Sequence, residues 1–280
     1  MDNDLGDKKF EKVYFTPGFP SCVQYWIHKC HLLNQDNLGA SSHDQVLIAQ
    51  TFGRKTGFIA GSVRAADPDR KIPLIILLPE DQQTMDRVLE EIEKHLSRSS
   101  RAIIVLSEGY EVGDLGEEFD PSGQVMYGSS KITAAQLLVN HCIQNGIQAR
   151  AFIPGVDQRV EITMASSFDL ELSFYLGQFI IRSFEEGKSH FLASIARPTT
   201  DRPNLIEIPF TIIQDYSRIM PDRWLDKGNF DVTEDYVNYL QSLIGNCNPR
   251  IPTLGGIPKF QEPFSQITNK RLPPWETYSV

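Results

Sequence analysis

The sequence predicts an α/β protein, a parallel-rich sheet flanked by helices on both faces, and three observations carry that reading. Short, wholly apolar runs such as Ile72 to Leu78 (IPLIILL) and Ala102 to Leu106 (AIIVL) are the pattern of strands buried on both sides. Helical periodicity alternates with them, most clearly where Met85, Val88, Leu89, Ile92 and Leu96 recur on one helical face. The 280 residues are 41% hydrophobic and 22% charged, ordinary globular material with enough chain to bury a substantial core.

The elements follow in order. Gln45 to Thr51 (QVLIAQT) reads as the first strand, a second apolar run of β type spans Gly57 to Ala66, and Ile72 to Leu78 is the next strand. The helix beginning at Met85 leads to the AIIVL strand. A Gly/Asp/Glu-rich loop then runs to Gly128, ahead of a helix expected from about Ser130 to Gln144. Arg150 to Ile153 is a short strand. A long helix from about Ser167 to Glu185 stops at Gly187, and His190 to Ile195 is a strand again. Beyond Arg197 the chain is Pro-punctuated; Thr233 to Leu243 is its clearest helix, and Asn246 to Val280 reads as a mostly irregular tail.

Composition excludes several classes. A net charge of −9 argues against nucleic-acid binding. No apolar run approaches the ~18 residues of a membrane span, and the opening MDNDLGDKKF carries acids where a secretory signal carries basic and then apolar residues. A cytoplasmic location is the expectation. Cys22, Cys30, Cys142 and Cys247 form no CxxC pair and are expected to be reduced and mostly packed. Cys22, His28, Cys30 and His31 have metal-ligand chemistry, but in a helix positions 28, 30 and 31 do not share a face, so core packing is their expected role. The sequence contains no GxSxG, no Walker loop and no GxGxxG.

In sheets of this kind ligands bind beyond the carboxyl ends of the strands. The residues there are Phe52, Gly53 and Arg54 after the first strand, Pro79 and Glu80 after the second, Ser107 to Tyr110 after the third, and Gly155 to Arg159 (GVDQR) after the fourth. Guanidiniums with a carboxylate suit a phosphorylated, hydroxyl-rich ligand, since Arg clamps phosphate oxygens in a fork and Glu accepts from sugar hydroxyls. Asp2-Asn3-Asp4 adds two carboxylates that can divide roles, one as a general base and one near a metal ion; the alternative is a frayed acidic terminus. Arg54, Glu108, Arg150 and Arg159 each have a bland alternative too, as a solvated turn residue, a loop acid or a surface ion-pair partner.

Taken together, MDND, FGRKTGFIAG, ADPDRKIPLIILLPE, IIVLSEGYEVGDLGE, ARAFIPGVDQR and MPDRWLDKGNFDVTEDYVNYLQSLIG closely resemble the phosphofructokinase family, from Asp2 to about Gly245. The segment after Arg159 and the Trp224 to Gly245 stretch are similar to its pyrophosphate-dependent branch. The resemblance implies phosphoryl transfer from pyrophosphate to the 1-hydroxyl of fructose 6-phosphate, with Mg2+, in glycolysis. Asp2 would be the base, Asp4 would stand near the metal, and Phe52, Gly53 and Arg54 would hold the sugar. Glu108 would bind its hydroxyls, and Arg150 and Arg159 would grip the 6-phosphate. It also implies a homo-oligomer or partnership with a complete paralogue. The division it suggests is residues 1–65 as the remainder of an N-terminal lobe, 66–197 as the sugar-phosphate lobe, and 198–280 as appended helices and tail.

The departures matter. The family's Gly-Gly-Asp donor loop, which would precede MDND, is not in these 280 residues, nor are the Lys and Thr expected just before that motif. The first lobe is therefore expected to be incomplete, with an open apolar edge, and the chain alone to be inactive. Gln45, Gln50, Val156 and Val160-Glu161 stand where the family usually has Arg, Glu, His or Tyr, and small residues. Two readings stay open: an enzyme completed by residues outside this sequence, or a non-catalytic sugar-phosphate-binding subunit or remnant.

Overall fold

A computed structural model of the chain describes residues 2–116, 121, 126, 130–197, 203–215, 217–244, 253–254 and 257–258. Helix α1 (Phe19–Ala40) precedes strand β1 (Val46–Thr51). There follow α2 (Phe58–Ser62), β2 (Leu74–Leu77), α3 (Met85–Ser99), β3 (Ala102–Ser107), α4 (Ala134–Gln144) and β4 (Ala149–Phe152). The four strands form one sheet in the order β2-β3-β1-β4, every pair parallel, with Val46 of β1 opposite Ala102 and Ala149.

The strand period of two divides the core into two layers. Leu47, Ala49, Ile76, Ile103 and Val105 pack on one face with Phe19, Trp26 and Phe58. Ile48, Ile75, Ile104 and Leu106 pack on the other with Val88 and Ile92 of α3 and Leu138 and Cys142 of α4. The unbroken apolar strands thus have helices on both sides. The division expected at residue 65 falls between β1 and β2, which share this one sheet.

The run from Gly57 to Ala66 is helical, as α2 and a 3-10 turn over Val63–Ala66. Both carboxylate oxygens of Glu80 accept from the Gly57 N–H (3.1 and 2.8 Å), supplying the start of α2 with the acceptor its own sequence lacks. Helix α4 begins four residues later than the pattern suggested, where the Thr133 hydroxyl accepts from the Gln136 N–H. Most of the Gly/Asp/Glu-rich loop and the tail beyond Ile244 lies outside the described residues.

The remainder is α5 (Asp157–Val160), α6 (Ser167–Glu185), β5 (Phe191–Ala196), β6 (Asn204–Pro209), β7 (Leu225–Asp226), β8 (Asp231–Val232) and α7 (Glu234–Gln241). The strand at 191–196 does not extend the parallel sheet; it pairs antiparallel with β6. Its outer edge takes the N-terminal segment, the Tyr14 N–H donating to Ile195 O and the Arg197 N–H to Glu11 O, both at 2.8 Å. Phe10, Phe58, Trp224, Tyr236 and Tyr239 form an aromatic cluster that ties α7 to the N-terminal segment and to α2.

Candidate functional site

At the carboxyl ends of β1 and β3 the chain makes two interlocked turns. The Glu108 N–H donates to Thr51 O (2.9 Å) and the Gly109 N–H to Gly53 O (3.3 Å). The Ser107 hydroxyl donates to Gly53 O and to Thr56 O, the latter at 3.1 Å. The approach is so close that only glycine fits. Gly53 has φ 129°, and a Cβ at Gly109 would stand 1.7 Å from Arg54 O. The backbone of these two turns thus fixes where the chain presents Arg54 and Glu108.

A third turn is fixed by Gln158, which is buried in α5. Its Oε1 accepts from the Phe52 N–H and from Trp26 Nε1, both at 3.0 Å, and its Nε2 donates to Gly155 O (3.0 Å). The neighbouring residue, Arg159, lies with its guanidinium 5.5 Å from the Phe52 ring centroid. A cleft of about 220 Å³ opens at this rim, lined by Gln50, Phe52, Glu108, Thr133 and Gln158 among others.

The Asp2-Asn3-Asp4 segment reaches the same rim by a longer route. Asn3 is fully buried in a left-handed conformation (φ 60°), with Asp2 and Asp4 on either side of it. Arg218, also buried, donates from Nε to Asn3 O (2.8 Å), from Nη2 to Asn3 Oδ1 (2.6 Å) and from Nη1 to Val13 O, and its main-chain N–H donates to Asp4 O (2.8 Å). The guanidinium lies 3.9 Å from the Phe10 ring centroid. Asn3 Oδ1 also accepts from the Thr16 N–H (3.1 Å) and hydroxyl (3.2 Å), and its Nδ2 donates to the Tyr239 hydroxyl (3.1 Å). This is not a frayed terminus.

The charges of these groups act on one another. Burial pushes Asp2 above the ordinary carboxylate range, and its neighbours act on it in both directions: the terminal amine, Arg54 and Arg159 favour the ionised form, while Asp4 opposes it. Glu108 is pushed up to about 7, mainly by burial and then by the charge of Asp2, against a bond from the Gly53 N–H and the pull of Arg54 and Arg159. Burial of Arg218 lowers it to about 10. Two carboxylates of perturbed acidity between two guanidiniums can hold a hydroxyl-bearing anion and take up a proton.

The structure thus brings Asp2, Phe52, Gly53, Arg54, Glu108 and Arg159 to one rim, with Asp4 exposed beside Asn3, its carbonyl bonded by the Arg218 N–H. Arg150 is elsewhere. It lies on β4 opposite Leu47, toward the amino end of the sheet, where it pairs with Asp36 and, through Nε, approaches Asp44 Oδ2 at 3.7 Å. A nine-residue spacing from Arg159 carries the chain from one end of the sheet to the other. Cys22 and Cys30 are buried in the core, as is Cys142; Cys247 lies outside the described residues. No helix among the described residues is long and apolar enough to cross a membrane.

Several residues that build the site were missed in the sequence. Gln50, noted only as a departure, accepts the Ala135 N–H at the start of α4 (3.0 Å). Gln158 had one signal, its position beside Arg159. Arg218 had none, since its partner Asn3 is 215 residues away.

Acids and guanidiniums gathered beyond the strand ends of a parallel α/β sheet stand where such folds place their ligand sites. The phosphofructokinase family model matches residues 1–182, and the chain belongs to that family. It is 26% identical, over 99% of its length, to the pyrophosphate–fructose 6-phosphate 1-phosphotransferase of Xanthomonas campestris, of which it covers 66%. It is 22% identical over 87% of its length to the sulfofructose kinase of Alkalicoccus urumqiensis, covering 62% of that protein. Among solved structures, the pyrophosphate-dependent phosphofructokinase of Nitrosospira multiformis superposes with a TM-score of 0.77 at 21% identity, over 92% of this chain and 63% of that one, which shows the shared fold. The chain spans about two thirds of the length of these relatives.

Proposed function

We propose that the rim binds fructose 6-phosphate and serves transfer of a phosphoryl group from pyrophosphate to its 1-hydroxyl. The observation that carries this reading is the common electrostatic field of Asp2, Glu108, Arg54 and Arg159 at the ends of β1 and β3. Asp2, raised by burial yet flanked by two guanidiniums, accepts the hydroxyl proton. Glu108 takes sugar hydroxyls, Arg159 grips the phosphate, and the Phe52-Gly53-Arg54 turn closes on the sugar. Asp2 and the exposed Asp4 offer two hard oxygen donors, which suit a magnesium ion that keeps its waters and shares its coordination with phosphate. Such an ion would neutralise phosphoryl oxygens. A cytoplasmic location belongs to the same proposal and is supported by Cys22, Cys30 and Cys142, which lie buried as free thiols.

The same reading makes the 280-residue polypeptide alone a binder with little or no turnover, because it contains no Gly-Gly-Asp loop to position a donor. Calorimetry with fructose 6-phosphate tests the first part, and an assay with pyrophosphate or ATP tests the second. Absence of binding by the folded chain refutes the sugar-phosphate reading; robust turnover by the purified chain refutes the inactivity. In an active form carrying a donor loop, Asp2→Ser lowers turnover by orders of magnitude while sugar-phosphate affinity stays near its original value.

A further inference from the structure

Glu80 is a half-buried carboxylate to which the reaction proposed above gives no part. It stands in the 3-10 turn Pro79–Asp81, just past the carboxyl end of β2. Its Oε1 accepts from two main-chain N–H groups far apart in sequence, Gly57 at 3.1 Å and Met220 at 2.9 Å, and its Oε2 accepts from Gly57 at 2.8 Å. Gly57 is three residues past Arg54, at the far end of the turn that presents that guanidinium. Met220 is two residues past Arg218, whose side chain holds Asn3 and, through it, Asp2. One carboxylate thus bonds to the backbone beneath both halves of the site.

The seat is close-fitting. A Cβ at Gly57 would stand 2.9 Å from Glu80 Oε2 and 2.5 Å from Leu78 Cδ2, so glycine is what lets this N–H reach the carboxylate. Met220 is buried in the core layer that contains Phe58, the residue after Gly57. The next residue of the turn, Asp81, fastens the same C-terminal segment further along, its Oδ2 accepting from the Gly228 N–H (2.7 Å). Burial raises the Glu80 carboxyl above its ordinary range, and the bonds from Met220 and Gly57 oppose that rise. A carboxylate withdrawn from water is held where its hydrogen bonds are.

We infer that Glu80 is a positioning residue, a tie that fixes the Arg54 turn relative to the Arg218–Asn3 support and so sets the sugar-holding turn against the base. The inference rests on the sugar-phosphate reading of the rim. Glu80 acts through main-chain N–H groups, so a side-chain replacement within one half leaves the other half in place while Glu80 remains. Loss of Glu80 frees both.

Calorimetry with fructose 6-phosphate on the 280-residue chain, with NMR of the Arg54 main-chain amide and the Asn3 side-chain amide, tests it. Glu80→Gln can keep its oxygen on Met220, but then sets an amide nitrogen against the Gly57 N–H. It should weaken binding about tenfold, the equivalent of one charge-assisted bond, and leave the Asn3 amide unmoved. Glu80→Ala should weaken binding at least as much and shift both amides. Asp81→Ala loosens the C-terminal segment at Gly228, away from Gly57; it should change binding by less than about twofold and shift neither amide. A folded Glu80→Gln chain that binds as tightly as the unaltered one overturns the proposal. So does an equal loss in Asp81→Ala, which would make Glu80 a structural anchor only. Should the Glu80 variants not fold, hydrogen exchange of the unaltered chain decides. The Gly57 and Met220 amides, released by one opening, should then be protected to within about tenfold of each other, and a wider gap overturns the tie. If the unaltered chain binds no fructose 6-phosphate, the sugar-phosphate reading fails by itself. The tie is then judged on Glu80→Ala, where movement of only one of the two amides overturns it.

Discussion

Glu108 and Asp2 share one electrostatic field but are held in it by different means. Glu108 sits one residue past β3, and its place follows from the sheet register and from main-chain bonds to Thr51 and Gly53. Asp2 belongs to no strand or helix. It is placed by Asn3, whose amide is held by Arg218, Thr16 and Tyr239. One half of the site is assembled by local backbone geometry, the other by a buried guanidinium from the far end of the chain. The first kind of placement tolerates changes at distant residues; the second does not.

The largest effects should come from breaking either support. Arg218→Met removes a guanidinium that serves Asn3 O, Asn3 Oδ1 and Val13 O, taking that donor from Asn3 O and Val13 O while Asn3 Oδ1 keeps only its bonds from Thr16. At ~1.5 to 3 kcal/mol for each bond to a charged group, the expected loss is ~3 kcal/mol or more, read from urea unfolding. It should fall on the Asp2 half, with the amides of Thr51 to Arg54 keeping their chemical shifts. Gly109→Ala should do the converse. Its Cβ would overlap Arg54 O at 1.7 Å, so the turn must open at a cost of ~1 to 3 kcal/mol, and sugar-phosphate binding should be lost while the Asn3 environment persists. If both variants perturb both halves equally, the two supports are not independent.

The paired arginines sharpen the comparison. Arg159→Ala should weaken fructose 6-phosphate binding by ten- to a hundredfold, the equivalent of ~1.5 to 3 kcal/mol for a charge-assisted phosphate contact. Arg150→Ala should change it less than twofold in a monomeric sample, because its ion pairs with Asp36 and Asp44 lie toward the other end of β1. Calorimetry on the two variants decides; equal losses would bring Arg150 into the site.

What the sequence disclosed follows the same division. The α/β class, the four parallel strands, α3 and the strand-end residues Phe52 to Arg54 and Glu108 were legible because each depends on short-range periodicity and the strand-to-turn transition. The helical start at Phe58 was not, since its acceptor, Glu80, is 23 residues on from Gly57. Nor was the pairing of β5 with β6, because apolar content does not specify strand direction. Arg150, grouped with Arg159 by the resemblance and by proximity in sequence, is separated from it within the single chain by a strand's length. Asn3 was read only as a spacer between two acids, although its buried amide is what orders them.

A further effect concerns pH. In the folded protein the pKa of Glu108 is raised to about 7, against 4.5 for an ordinary glutamate, chiefly through burial. Between those values the folded protein holds a proton that the unfolded chain has already released, so the folded state is favoured at low pH and its advantage declines as pH rises. Glu108 thus costs stability at pH 8 that it does not cost at pH 4. A tenfold change in a proton's affinity corresponds to ~1.4 kcal/mol, and partial solvent contact of the carboxylate reduces the net cost to ~1 to 2 kcal/mol. Glu108→Gln, which keeps the shape and cannot ionise, should therefore raise the unfolding midpoint at pH 8 and leave it nearly unchanged near pH 4.5. Because the charge of Asp2 helps to keep Glu108 protonated, the gain at pH 8 should shrink when Asp2→Asn is already present. Full additivity of the two substitutions would show that Asp2 and Glu108 do not feel one another, and the shared field on which the proposed site rests would be lost.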